Sequence, residues 1–363
     1  MSGETSAPQA KGRKGRGAVR NVPGRFERFN TTPFDDGWGS LDEPAQQLET
    51  LVTPEPARTI LTANDSPDIP FNRSINPYKG CEHGCIYCFA RPSHAFLDLS
   101  PGLDFESRIF SKPNAAELLR KALRKKGYSP EVVALGANTD PYQPVERRSR
   151  ITRSILEVLS EFRHPVTIVT KSNMVLRDLD LLVPMAEAGL ASVFVSVTTL
   201  DRRLARRMEP RAPTPERRLE AVRGLHVSGV PVGVLASPMI PALNDHELER
   251  ILEQAAEAGA RTASYLIVRL PNELKQLFTD WLEANYPDRA AKVLKRIREV
   301  RGGRLNDPRF GSRMHGAGIY AAMLSRRFEL ACKRLGLDAR RLEHDTSKFR
   351  VPPLPGQQRS LFG

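Results

Sequence analysis

Six short, mostly apolar and β-branched runs recur along this chain, with helical patterns in the intervals between them. They are "RSINPY" at 73–78, "EVVALGA" at 131–137, "PVTIVTKS" at 165–172, "ASVFVSVTT" at 191–199, "VPVGVLASP" at 230–238 and "TASYLIVRLP" at 262–271. Strands without a clean apolar–polar alternation are those covered on both faces, as in a parallel sheet. Helical patterns fall at 113–126, 150–162, 178–188, 215–228, 246–258 and 272–284. In the first, Ala115, Leu118, Leu119, Ala122 and Leu123 share one face, Pro113 lies near the start and Gly127 near the stop. Six strand–helix units in series predict a parallel sheet with right-handed crossovers. Six are too few to close an eight-fold barrel, so the expected fold is α/β, a curved partial (β/α)6 barrel.

The flanks read differently. Residues 1–65 are rich in Gly, Pro, Ser and charge with no persistent period, and are expected to form a basic, disordered arm and linker. The barrel is expected over 66–285, a helical extension over 286–345 and a flexible tail over 346–363. Within the extension, Cys332 shares a helical face with Phe328 and Leu335 and reads as a packed small hydrophobe.

Directly after the first run stands "NPYKGCEHGCIYCFARP", which places Cys81, Cys85 and Cys88 in C-x3-C-x2-C spacing. In β/α barrels chemistry sits on the loops at strand C-termini, so this loop is where a cofactor belongs. Three neighbouring thiolates leave a four-ligand centre one ligand short; on a 4Fe–4S cluster, one iron then has no protein ligand and can bind a small molecule. A Cys3His zinc site using His83 or His94 is the competing reading, although structural zinc sites usually take a second ligand pair farther along the chain. With four Cys in 363 residues and no secretory signal, a disulfide framework is disfavoured and a reducing, cytoplasmic location is expected. No run approaches the roughly 18 apolar residues of a membrane span.

The cysteine spacing, with Tyr87 just before the third cysteine, resembles the signature of the radical S-adenosylmethionine superfamily. The segments "YCFARPSHAFLDLSPGLDFESRIF", "TDPYQPVE", "LDRRLARRMEPRAPTPERRLEAV" and "SPMIPALND" are similar to the branch containing the spore photoproduct lyases, often termed DNA repair photolyases. "KGRGAVRNVPGRFE" and "RFGSRMHGAG" extend the similarity toward both ends, to an uncharacterised bacterial subgroup. The resemblance implies a 4Fe–4S cluster on Cys81, Cys85 and Cys88, with S-adenosylmethionine chelating the open iron. It also implies reductive release of a 5′-deoxyadenosyl radical that abstracts hydrogen from a substrate, and an electron donor such as flavodoxin or ferredoxin. For the cofactor it implies Thr139 and Asp140 facing the methionine ammonium, Lys171 and Ser196 near its carboxylate or ribose, and Tyr87 near the adenine. Each has a plain alternative: Asp140-Pro141 forms turns, Lys171 suits a surface, and Ser196 suits a satisfied barrel interior.

The net charge of +13 rests on 42 Arg and 13 Lys, and is concentrated in two places. Lys11, Arg13, Lys14, Arg16, Arg20, Arg25 and Arg28 stand against Glu27 alone, and eight Arg stand against three Glu between Arg202 and Arg223. Such clusters fit nucleic acid, or a solvated arm and an exposed helix face. The expected substrate is nucleic acid, with a peptide or small metabolite as the alternative. The C-terminal Gln358-Arg359-Ser360-Leu361-Phe362 is similar to Q-x-x-L-F peptides that bind DNA sliding clamps, and a non-catalytic, metal-stabilised clamp adaptor is the rival from another class. Where the lyases carry a hydrogen-donating cysteine and a tyrosine, this chain aligns Ala137 and Phe89, neither of which can pass hydrogen on.

Overall fold

The structure is a computed structural model and describes residues 14–27, 48–337 and 342–353. Ten strands form two sheets. The smaller contains β1 (Leu51–Pro54), β4 (Tyr78–Lys79) and β5 (Arg108–Ser111), in the order β1-β5-β4. The larger contains β2 (Leu61–Ala63), β3 (Arg73–Ile75), β6 (Val133–Leu135), β7 (Val166–Thr170), β8 (Ala191–Ser196), β9 (Val232–Met239) and β10 (Thr262–Ile267), in the order β10-β9-β8-β7-β6-β3-β2. From β3 to β10 every pairing is parallel, and β2 closes one edge antiparallel to β3. Five of the six strands lie inside a run marked by apolar residues and β9 passes its run by one residue, at Met239; the sheet remains an open partial barrel.

The intervening helices are short and amphipathic. α1 (Leu103–Ser107) and α2 (Ala115–Leu123) precede β6; α3 (Glu146–Ser149) and α4 (Ile151–Glu161) precede β7. α5 (Leu179–Glu187) precedes β8, α6 (Arg202–Met208) and α7 (Pro215–Val227) precede β9, and α8 (Leu248–Glu257) precedes β10. Leu119, Leu123, Ile155, Leu159, Leu182 and Leu225 bury against Val133, Leu135, Ile168 and Val193 of the sheet. α9 (Leu274–Asn285) follows β10, and the extension holds α10 (Pro287–Val300), α11 (Ser312–His315) and α12 (Ile319–Leu335). α12 buries Leu324, Ala331 and Cys332 against Leu248, Ile251 and Ala255 of α8, which confirms Cys332 as a core residue.

Two flanks behave differently from the expectation. Residues 14–27, read from sequence as disordered arm, pack as a strap: Ala18, Val19 and Val22 share a core with Cys85, Ile86, Tyr87 and Leu103 and with Leu277, Trp281 and Val293 of α9 and α10. The reason is pairing that no local pattern announces. Gly17 and Ala18 N–H groups donate to the two oxygens of Glu106 at 2.8 Å each, and Arg16 Nη1 donates to the Glu106 carbonyl at 2.7 Å. At the other end, residues 346–353 were read as tail, yet Phe349 packs on Phe162, His164 and Tyr128, and Arg350 N–H bonds the Phe162 carbonyl. The peptide Gln358–Phe362 lies outside the described residues.

Glu106 is also the partner of Arg91, and both side chains have no solvent exposure. Removing one member of such a pair leaves a buried charge without compensation, a loss of about 3–5 kcal/mol. Glu106→Ala is therefore expected to lower the urea midpoint by that equivalent. A Cβ on Gly17 would stand 1.9 Å from the Gly84 carbonyl oxygen. Gly17→Val should thus detach the strap and open Arg16 and Arg20 to trypsin, with a smaller change in midpoint. A strap as protease-resistant as wild type in that variant would refute the contact.

Candidate functional site

The cysteine loop leaves β4 at the lip of the larger sheet and has almost no regular structure of its own. Its backbone is held from outside. Cys81 N–H donates to the Phe105 carbonyl, Ile86 N–H to the Met208 carbonyl, and Arg211 N–H to the His83 carbonyl. Gln143 closes the near side, accepting from Glu82 N–H at 2.9 Å and donating to the Gly80 carbonyl at 3.1 Å. Arg91 spans the far side, bonding the carbonyls of Cys85, Gly84, Pro101 and Gly102 in addition to Glu106. Gly84 takes φ +66°, and a Cβ there would meet Glu106 Oε2 at 2.6 Å, so a glycine is required where the loop turns against the carboxylate.

Cys81 and Cys85 are buried, Cys88 is half-buried, and all three are free thiols. Burial, reinforced by Asp140 and the other two cysteines, pushes the Cys81 thiol well up. Burial likewise raises Cys85, against the pull of the Lys171 ammonium. Thiols in this setting keep their protons unless a metal displaces them, and that is the chemistry a thiolate-ligated cluster supplies. No three His, Cys, Asp or Glu side chains among the described residues form a cage for a single metal ion. Thiolates on a cubane bind separate irons and need no such close convergence. His94, a ligand in the zinc reading, instead contacts the Arg108 carbonyl through Nε2 and packs edge-on to Phe105. The residues present therefore fit a three-cysteine 4Fe–4S cluster.

The five residues singled out for the cofactor are in unequal states: Tyr87 is in the loop itself, and Asp140 and Lys171 approach it at His83 and Tyr87. Asp140 is heavily committed: it accepts from Tyr142 N–H at 2.9 Å, Thr170 Oγ1 at 2.7 Å and Lys171 N–H at 2.7 Å. His83 Nδ1 lies 3.3 Å from it, out of hydrogen-bonding alignment. Although burial opposes ionisation, His83 and these donors hold the Asp140 carboxyl down at about 2. Thr139 donates its hydroxyl to the Tyr78 carbonyl at 3.1 Å, which leaves the oxygen able to accept. Lys171 has no carboxylate partner among the described residues, and its Nζ stands 5.9 Å from the centre of the Tyr87 ring. Ser196 is buried with no side-chain hydrogen bond among the described residues. Tyr87 donates to Glu209 and contacts Thr198 Oγ1 at 3.1 Å.

Glu209 is one of the supports that sequence reasoning missed. Fully buried, it binds Arg218, Thr198 and Tyr87 together, and Arg218 continues to the carbonyls of Pro213 and Ser196. Arg91, Glu106 and Gln143 were missed likewise, because isolated charged and amide residues read as surface. The Arg202–Arg223 cluster is therefore mixed. Arg218 is internal and Arg211 lies 3.5 Å from Glu82, whereas Arg202 and Arg217 pair outside with Glu216 and Glu220. Phe89 is half-exposed, and Ala137 is half-buried. No helix among the described residues is long and apolar enough to cross a membrane.

Residues 75–255 match the Radical SAM superfamily profile. The chain is 37% identical over 234 residues to an uncharacterised protein of Mycobacterium tuberculosis, covering 64% of this chain and 68% of that one. It is 31% identical over 217 residues to an uncharacterised protein of Methanocaldococcus jannaschii, covering 59% and 76%. Among solved structures it is similar to a tyrosine-to-phenylalanine mutant of spore photoproduct lyase, with TM-score 0.55 and 16% identity over 79% of this chain and 80% of that one. The same lyase complexed with dinucleoside spore photoproduct gives TM-score 0.54 at 16% identity over 78% and 79%. At that identity the likeness is one of fold. Superfamily match, partial barrel and three-cysteine loop agree: this chain belongs to the radical S-adenosylmethionine superfamily, whose enzymes work with a 4Fe–4S cluster and S-adenosylmethionine.

Proposed function

We propose that the chain cleaves S-adenosylmethionine on a cluster held by Cys81, Cys85 and Cys88, and acts by hydrogen abstraction on a nucleic acid. The observation that carries the reading is an uncommitted Lys171 ammonium beside a buried three-thiol loop, 5.9 Å from the centre of the Tyr87 ring and pulling against the rise of the Cys85 thiol. When bound, cluster and cofactor supply a carbon-centred radical; the protein's part is to bind, orient and exclude water. Lys171 and Ser196 would hold the carboxylate of the cofactor, and the Thr139 oxygen its ammonium. Asp140, its lone pairs largely occupied, positions the backbone of Lys171 and with it the ammonium above Tyr87. Tyr87, fixed by Glu209, presents a ring to the adenine.

Nucleic acid as substrate is supported by the net charge of +13 and by a fold shared with a lyase whose solved structure holds a dinucleoside photoproduct. The peptide Gln358–Phe362 would tether such an enzyme to a sliding clamp, and a flavodoxin or ferredoxin would deliver the electron. Anaerobic turnover with dithionite, followed by mass spectrometry for 5′-deoxyadenosine, tests the chemistry; a colourless protein carrying one zinc and no iron would refute it.

Replacing Cys81, Cys85 or Cys88 with Ala should abolish the brown chromophore and all 5′-deoxyadenosine, while Cys332→Ala leaves both. Bleaching by Cys332→Ala alone would show the ligand set to be wrong.

Lys171→Ala should weaken S-adenosylmethionine binding at unchanged iron content, measured by equilibrium dialysis of the reconstituted protein. Asp140→Asn should weaken it too, through loss of the bond to Lys171 N–H. Wild-type affinity in both variants would remove these roles.

With Ala137 and Phe89 where the lyases donate hydrogen, the reconstituted enzyme is expected to cleave S-adenosylmethionine without efficient repair of spore photoproduct in DNA. Lyase-like repair with label returning from a protein thiol would overturn that expectation.

A further inference from the structure

The motif "RFGSRMHGAG" at 309–318 supplies no cysteine, yet its Met314 meets Arg269, whose guanidinium covers the ring of Phe89 next to Cys88. Two aromatic rings stand exposed there. Phe89, immediately after Cys88, is 47% exposed, with the Arg269 guanidinium carbon 5.7 Å from its ring centre. Phe310 is 59% exposed and carries Arg313 at 4.5 Å. The two pairs belong to one cluster, since Arg269 Nη1 lies 3.6 Å from the sulfur of Met314, the neighbour of Arg313.

Charge in this cluster is unbalanced. Arg313 is bound by Asp68, with Nε to Oδ2 at 2.6 Å, and Arg309 is bound by Asp307. Arg301 is buried beneath, its Nη1 and Nη2 given to the carbonyls of Ile267, Val268, Ser312 and Arg313 and its Nε without an acceptor, with no carboxylate in salt-bridge range among the described residues. Arg269 has no ion pair among the described residues, and its Nε is buried without an acceptor. A half-buried guanidinium among other cations with no carboxylate of its own is a place where an external anion gains a partner without displacing one. Exposed aromatic faces beside it offer what a nucleobase stacks on.

We propose that Phe89, Arg269 and Phe310 form a binding rim for an unpaired nucleic-acid strand, with phosphate on Arg269 and bases on the two rings. The proposal rests on the nucleic-acid reading of the substrate and names the surface that receives it. A strand suits the rim better than a free metabolite does, because the two rings lie open at the lip and are not enclosed. An unpaired strand suits it better than a duplex, whose bases have no free faces.

The test is fluorescence anisotropy of a labelled oligodeoxynucleotide of about 12 nucleotides on the reconstituted full chain, across a salt series. Arg269→Gln is expected to weaken binding about tenfold and to reduce the slope of log affinity against log salt by about 0.7. Arg269→Lys should restore the slope. Phe310→Ala should weaken binding about 5- to 100-fold with little change of slope. Arg326→Gln, on the exposed face of α12, should change nothing, and iron content reports that each variant is folded. Wild-type binding by both Arg269→Gln and Phe310→Ala would overturn the rim while leaving the nucleic-acid reading intact. Equal affinity for the matching duplex would overturn the stacking role. No binding by the wild-type protein at about 100 µM would refute the nucleic-acid reading and the rim with it.

Discussion

The ion pair between Arg91 and Glu106 is the constraint on which the site depends. Neither side chain reaches water, so every donor and acceptor must be matched inside the protein. Arg91 meets that demand with carbonyls of the cysteine loop and of the turn before α1; Glu106 meets it with Arg91 and with two N–H groups of the strap. One charge pair thereby joins three segments that have no sheet or helix ladder to join them. The thiols stand on a loop that is irregular in backbone but fixed in place.

The same device recurs around the loop. Asp140 gathers the end of β7, the turn after β6 and the edge of His83, and Glu209 gathers Tyr87, Thr198 and Arg218. These carboxylates support the site, and their engagement separates supporting groups from available ones. Lys171, Ser196 and Arg269 are left with capacity to bind, and all three are at strand ends. Committed groups hold the cradle rigid; uncommitted ones are where a ligand gains interactions without displacing protein partners.

An open barrel also needs its edges managed. The β3 side is covered by β2. The β10 side is covered by the extension, whose α11 reaches across to Asp68, in the loop between β2 and β3, through Arg313. That salt bridge ties the two edges of the sheet together and carries the aromatic rim to the mouth. The extension is thus continuous with the site, its α10 sharing a core with α9, the strap and the cysteine loop.

The strands at 133–135, 166–170, 191–196, 232–239 and 262–267, and the helices between them, were legible because burial on two faces or one stripe imposes a local period. The grouping of Cys81, Cys85 and Cys88 on one loop was legible because their C-x3-C-x2-C spacing is local. The packed strap, the role of Glu106 and the partners of Asp140 were not, since each depends on residues dozens of positions apart whose types alone suggest surface. Arg218 shows the limit: eight arginines between 202 and 223 look alike in sequence, and one of them is buried against Glu209. By itself the sequence determined the architecture and the three-cysteine spacing, because periodicity and spacing are local properties of the chain. Which charges face inward to hold the loop, and which remain free for a ligand, was decided by tertiary structure alone, because burial and pairing belong to contacts between distant segments.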